Sequence, residues 1–306
     1  MSSPSHSHRS PSREQLGLLL GFVGVAIFGG TLPATRIAVA AIDPLALTAM
    51  RTAIAGICAL ALLLILRRPL PPRTLWRQIA ITAVCVVVLF PFLMALALQT
   101  VDASHGGVVL GVLPIATALA AVLINHERPK ALFWIASLAG AAIVIAFALR
   151  QGGGSFVTGD LLLFAAVAAA AAGYAMSGRL TSSMPGWEVI SWVLVMSLPF
   201  ALPAAVLTMP ADLAAIPLKP AMLKIWLAVL YVALFSQWIG FFAWNAGLAM
   251  GGIARVSQMQ LLQPFITFVL AALFNDEAIT LQIVLFAAAV VASVAISSRV
   301  RAKQAR

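Results

Sequence analysis

Residues 103–130 read ASHGGVVLGVLPIATALAAVLINHERPK, and residues 253–280, which lie 150 positions further on, read IARVSQMQLLQPFITFVLAALFNDEAIT. The two stretches align without a gap. They share a set of proline and polar positions, namely Pro114 with Pro264, Thr117 with Thr267, Asn125 with Asn275, and Glu127 with Glu277. Such a repeat predicts two duplicated halves, and in a membrane protein duplicated halves are typical of transporters.

The composition indicates a lipid bilayer as the solvent. Of the 306 residues, 62% are hydrophobic and 9% are charged, and the mean hydropathy is +1.06. A water-soluble surface could not cover apolar runs along nearly the whole chain. The net charge of +10 comes from cations in short loops and at the termini, which favours membrane orientation over nucleic-acid binding.

Apolar stretches of about 20 residues predict ten membrane-spanning helices. They cover residues 15–39, 44–66, 76–100, 104–124, 131–149, 159–180, 189–209, 224–250, 253–274 and 281–298. We therefore expect an all-α integral membrane protein, because a lone strand in lipid would leave its backbone groups unpaired. Residues 1–14 are expected to form a disordered cytoplasmic tail, and residues 299–306 a basic cytoplasmic tail.

The distribution of lysine and arginine predicts the orientation. With both termini inside, fourteen cations fall in inner segments. The outer side has five, namely Arg36, Arg51, Arg150, Lys219 and Lys224. Cytoplasmic loops are enriched in these residues, so the two halves are predicted to be inverted relative to each other, with Glu127 inside and Glu277 outside.

The ten-helix layout, the repeated proline and terminal glutamate, and the stretch GGTLPATR at residues 29–36 resemble the EamA-type transporters of the drug/metabolite transporter superfamily. The resemblance covers residues 15–298. It implies two inverted five-helix repeats, residues 15–149 and 159–298, and a secondary transporter of amino acids, other small metabolites or toxic organic compounds, with export as the expected direction. It also matches Arg51 to an arginine that the family often carries. His126 and Asp276 depart from the family pattern, which commonly has glycine there.

The repeated prolines and glutamates are candidates for gating or structural roles. Pro114 and Pro264 each remove an amide donor and should bend their helices near the middle of the bilayer. The freed carbonyls either meet a ligand or belong to packing kinks alone. Glu127 and Glu277 either pair with a neighbouring cation or form a gating contact between the repeats.

The ninth span carries the best candidates for polar recognition. Gln260, Pro264 and Thr267 recur at helical spacing, with Gln263 on the flank. A polar face in lipid must meet protein or water. These amides either bind substrate or form interhelical hydrogen bonds, and we expect Gln260 to be the strongest substrate contact.

Further candidate substrate-binding residues lie in three other spans. In the eighth span Gln237, Trp244 and Asn245 share a helical face, and in the sixth Tyr174 and Ser177 lie one turn apart. Aromatic walls with a few amides suit an amphipathic organic ligand, although aromatic residues also collect at bilayer interfaces.

Two charged residues have open interpretations. Arg51 either snorkels to the outer headgroups, as Arg36 could, or binds a substrate carboxylate. His105 either couples transport to protons or is an ordinary helix-start residue.

We expect no enzyme, because zinc, Walker and clustered catalytic motifs are missing from the sequence. No catalytic residue, cofactor or metal site is expected. The expected partners are a small-molecule substrate and the lipid bilayer, with no nucleic acid, in a monomer or homodimer at the bacterial cytoplasmic (inner) membrane. The alternative is a membrane-embedded protein that binds or senses a small molecule or lipid without transporting it.

Overall fold

The computed structural model describes residues 13–125, 131–151, 156–209, 220–251 and 257–302, and every regular element in these ranges is helical. The α-helices are α1 (Arg13–Gly29), α2 (Thr31–Val39), α3 (Pro44–Ile65), α4 (Arg73–Thr82), α5 (Phe90–Ala97), α6 (Ala103–Leu110), α7 (Leu113–Asn125), α8 (Ala131–Gln151), α9 (Thr158–Leu180), α10 (Gly186–Thr208), α11 (Pro220–Leu230), α12 (Gly240–Gly251), α13 (Gln263–Asn275) and α14 (Leu281–Ala302).

Three other helical segments interrupt or precede these α-helices. A π-helix, π1 (Ala83–Leu89), joins α4 to α5, and a second, π2 (Tyr231–Ile239), joins α11 to α12. A 3₁₀ helix (Ser257–Leu262) leads into α13. The two π-helices are separated by nearly the same spacing as the repeated sequence, so the duplication extends to local backbone irregularities.

Six helical stretches are long and apolar enough to cross a membrane. They are Gln15–Val39, Pro44–Ile65, Arg73–Ala97, Thr158–Leu180, Gly186–Thr208 and Met222–Gly247, and four shorter apolar helices accompany them in the described ranges. Large apolar side chains point outward, for example Phe200 at 80% and Leu207 at 84% exposure. Such an apolar exterior fits lipid, and the protein is an integral membrane protein.

The start of α3 shows how the sequence sets a helix boundary. Oδ1 of Asp43 accepts hydrogen bonds from the backbone N–H groups of Leu45 and Ala46, at 2.8 and 3.3 Å. Pro44 occupies the first helical position, where its missing N–H costs nothing. The pair Asp43-Pro44 therefore fixes where this span begins.

Helices from the two halves of the chain pack against each other. Helix α3 packs against α10, α8 against α14, and α1 against α12. Helix α9 packs against α4, π1 and α5 in turn. Two buried apolar clusters result, and residues of both line the central cavity described below.

Candidate functional site

A cavity of about 520 Å³, including its mouth, lies among α1, α3, π1, α9 and π2. The enclosed part of this space is about 30 Å³, room for one or two water molecules in this conformation, so a larger ligand requires the walls to move apart. Its walls are mainly apolar and include the rings of Phe28, Phe90 and Phe241. Its polar side chains are Thr31, Arg51, Tyr174, Ser236, Gln237 and Gln263. A mostly apolar cavity with a few polar groups suits an organic ligand.

A second, smaller cavity shares Leu32, Leu110, Leu113 and Gln263 with the first. Its other polar residues are Gln260 and Thr267, and Pro264 also lines it. Because Gln263 borders both cavities, its amide can contact a ligand in either one.

The break between α1 and α2 is held by side chains from later helices. Pro33 has no N–H to give to the carbonyl of Gly29, four residues earlier. The hydroxyl of Thr267 donates to that carbonyl instead, at 2.8 Å. The hydroxyl of Tyr231 donates to the carbonyl of Ile27 at 2.6 Å. The backbone groups at this break are therefore paired within the protein, as lipid surroundings require.

A related arrangement lies beside π1. Pro91 cannot donate to the carbonyl of Val87, and the hydroxyl of Thr52 approaches that carbonyl at 3.5 Å. Nε2 of Gln237 donates to the same hydroxyl at 3.1 Å. Gln237 thus uses its amide N–H₂ for structure, while its Oε1 is buried without a hydrogen-bond partner in the described part of the chain.

The guanidinium of Arg51 is buried. Arg51 is only 3% exposed, and among described residues its Nε and Nη1 have no hydrogen-bond partner. It lines the central cavity. Of the two interpretations open from the sequence, burial of the side chain fits a role inside the protein better than snorkelling to the headgroups.

Tyr174 also lines the central cavity, whereas Ser177, one turn further along α9, is half-buried and is not a lining residue of either cavity.

Nδ2 of Asn245 donates to the carbonyl of Gly186 at 3.0 Å. Trp244 packs with its ring edge toward Phe28, at a centroid distance of 6.3 Å. Asn245 and Trp244 line neither cavity and have structural contacts.

Glu277 follows the end of α13 and caps the start of α6. Its two carboxylate oxygens accept hydrogen bonds from the backbone N–H groups of Ala103 and Ser104, each at 2.8 Å. This contact joins the two copies of the repeated sequence. Glu127, the matching residue of the first copy, lies outside the described residues.

Both prolines of the repeated sequence occur where helices are interrupted. Turn residues Gly111 and Val112 separate α6 from α7, whose second residue is Pro114. The 3₁₀ helix ends one residue before α13, whose second residue is Pro264. The predicted disturbance at each proline is thus a change of helix type or a short break.

Two polar pairs were missed from the sequence. The hydroxyls of Thr31 and Ser236 are 2.7 Å apart in the central cavity wall. Nε2 of His105 lies 2.6 Å from Oδ1 of the fully buried Asp160. Sequence spacing carries no signal for either pair, because their partners lie on separate helices.

Arg36 lies near the cap formed by Glu277. It donates to the carbonyl of Leu98, to the carbonyl of Val101 at 2.9 Å and to Oδ1 of Asp102 at 3.2 Å. Its charge is thus engaged at the end of α5 and the start of α6, apart from the central cavity.

Comparison with known proteins gives consistent results. The sequence model of the EamA-like transporter family matches twice, at residues 15–149 and 157–299. The uncharacterized transporter YdeK of Bacillus subtilis (strain 168) is 46% identical over 283 residues, covering 92% of this chain and 97% of its own. A solved crystal structure covers 92% of this chain and 95% of its own, with a TM-score of 0.63 and 20% sequence identity, which indicates a shared fold.

Proposed function

The chain belongs to the EamA-like transporter family, and from this premise we propose that it is a secondary transporter of small organic metabolites, such as amino acids or related amphipathic compounds. The observation that carries the proposal is the central cavity. Arg51 and Phe28 come from the first half of the chain, and Tyr174, Gln237 and Gln263 from the second. A site between two halves is what a carrier needs, because movement of one half against the other can expose it to either side.

The proposed architecture is ten membrane-spanning helices in two inverted five-helix repeats, residues 15–149 and 159–298. Helix packing supports the pairing, because α1 against α12 has its counterpart in α9 against α4, π1 and α5. The cap supports inversion. Glu277 follows the end of α13 yet reaches the start of α6, so these two helices, one from each copy of the repeated sequence, run in opposite directions.

The proposed orientation has both termini in the cytoplasm of a bacterium whose inner membrane holds the protein. The excess of lysine and arginine in the segments then assigned to the inside supports it. The proposed direction of transport is outward, in line with the family resemblance. The proposed assembly is a monomer or a homodimer.

The proposed mechanism is alternating access by bending at the interrupted helices. Breaks or changes of helix type occur at Gly30, at the two π-helices, at Gly111 and at the 3₁₀ helix. Such points are common sites of helix bending. Several border the cavity, so bending there would alter access to it.

Counterflow in proteoliposomes tests the proposal. Vesicles with purified protein are loaded with one unlabelled compound from a panel of amino acids, organic acids and amines, and the same labelled compound is added outside. Transient accumulation of label, absent from protein-free vesicles, is expected for at least one compound. Binding without accumulation would instead support the sensor alternative, and neither binding nor accumulation across the panel would overturn the proposal.

A further inference from the structure

Arg51 is a buried cation without a counter-charge among the described residues. Its side chain lies in the second turn of α3 and is 3% exposed. Among the described residues lining the central cavity, Arg51 alone carries a charge. An arginine keeps its charge in proteins, so this cavity has a fixed positive charge.

Arg51 also has unused hydrogen-bond donors. Within the described part of the chain, Nε and Nη1 have no acceptor. A buried charge that is neither paired nor hydrogen-bonded is costly, and native proteins rarely retain one without a reason. An anionic ligand would supply both the charge and the acceptors, and the planar guanidinium matches the two oxygens of a carboxylate.

The amide oxygen of Gln237 lacks a hydrogen-bond donor, whereas Arg51 lacks acceptors. Gln237 donates through Nε2 to Thr52, the residue after Arg51, which places its amide beside this part of α3. Its Oε1 is a buried acceptor without a donor among described residues. A ligand that carries both an anionic group and a hydrogen-bond donor would therefore satisfy Arg51 and Gln237 together.

The remaining walls define the rest of the ligand. The rings of Phe28, Phe90 and Phe241 line the cavity, and Phe28 and Phe241 lie 5.0 Å apart by their centroids. An apolar body, aromatic or branched, fits such walls by burying its surface against them.

We infer that the central cavity binds an organic anion, with its carboxylate held by the guanidinium of Arg51 and its apolar body packed against the phenylalanine rings. This inference names the substrate class for the proposed transport function and rests on that function. Organic cations are disfavoured at this site, because the charge of Arg51 repels them at short range.

The first experiment needs no ligand. In purified protein, Arg51→Met removes the buried charge and keeps most of the side-chain volume, so the melting temperature without ligand is expected to rise by about 2–4 °C. The matched control Arg150→Met removes an exposed cation and should leave the melting temperature unchanged. A lowered melting temperature for Arg51→Met would mean that Arg51 stabilises the fold, and an unchanged one would mean that its buried charge costs nothing. Either result would overturn the inference.

The second experiment uses three probes with one aromatic body, at matched ionic strength against sodium chloride. Sodium phenylacetate is expected to raise the melting temperature of the wild type and of Arg150→Met, but not of Arg51→Met. Phenylacetamide and phenethylamine should give no such shift. An equal shift with the amide or the amine would overturn the inference, as would a phenylacetate shift that survives in Arg51→Met. No shift with phenylacetate beyond that of chloride would also overturn it, since chloride alone would then satisfy the arginine.

The two proposals can fail separately. If only neutral or cationic compounds show counterflow, the transport function stands and the organic-anion site is wrong. If the protein binds phenylacetate through Arg51 but exchanges none of its ligands, the anion site stands and the transport function is wrong.

Discussion

Glu277 accepts a hydrogen bond from the backbone N–H of Ala103 at 2.8 Å, across 174 positions of the chain. Its second oxygen takes the N–H of the next residue, so one carboxylate satisfies two of the four N–H groups that every helix start leaves open. A negative charge there is also favoured by the helix dipole.

Replacing Glu277 is therefore expected to destabilise the protein. Glu277→Ala should lower the free energy of unfolding by about 1–2 kcal/mol, and Glu277→Gln by less, because glutamine keeps one acceptor oxygen. Thermal unfolding in detergent measures both. Asp276→Asn is the control, since it removes the adjacent exposed charge and asparagine tolerates the positive φ of 56° at this position. Equal effects of all three variants would show that charge, and not the cap, matters.

Thr267 is expected to stabilise the protein through its hydrogen bond to the carbonyl of Gly29. Thr267→Val keeps the shape but removes the donor, and should cost about 1–3 kcal/mol of stability, whereas Thr267→Ser should cost less. The cost of Thr267→Val should shrink when Pro33→Ala is also present, because alanine restores the N–H that this carbonyl lacks. Additive effects in this double-mutant cycle would contradict the proposed compensation.

Two amides proposed as substrate contacts should separate by their effects. Gln263 borders both cavities, so Gln263→Ala is expected to reduce counterflow at least about tenfold, which corresponds to ~1.4 kcal/mol, with normal membrane insertion. Asn245→Ala is expected to lower stability by about 1 kcal/mol, because its amide donates to the carbonyl of Gly186. It should leave more of the counterflow than Gln263→Ala does. The exposed Gln99→Ala serves as the control for both. Greater loss of exchange in Asn245→Ala than in Gln263→Ala would place substrate elsewhere.

Two glycines of α9 should respond in opposite ways to alanine. A methyl group at Gly173 would lie 2.9 Å from Cβ of Cys85, at the contact with π1, so Gly173→Ala is expected to destabilise the protein. A methyl group at Gly178 meets nothing within 4 Å. Gly178→Ala should therefore raise stability by about 0.5–1 kcal/mol, the usual gain in a helix. Thermal melts of the two variants give the comparison, and a stable Gly173→Ala would show that α9 and π1 separate at low cost.

Local chemistry predicted much of the fold. Proline placed the disturbances near Pro114 and Pro264 because its effect on the helix ladder is confined to one turn. The interruption at Gly30 was not predicted. Residues 15–39 have the hydropathy of one continuous helix, although Gly30 and Pro33 are local signals of a break. The side chains that pair its carbonyls, Tyr231 and Thr267, are distant in sequence.

The candidate site was predicted less completely. Gln237, Gln263, Arg51 and Tyr174 do line the central cavity. Helical spacing could show that Gln237 and Asn245 share a face, but it could not show that Asn245 lies opposite Gly186. Nor could it reveal that Thr31 meets Ser236, since a hydrogen bond between separate helices depends on how they pack.

The cap on α6 has an evolutionary consequence. Both donors belong to the backbone, so the side chains of Ala103 and Ser104 do not make the contact and could drift without breaking it. The acceptor has no such freedom, because only a side chain of the right length and charge can reach both N–H groups. Selection on this contact should therefore act almost entirely on Glu277.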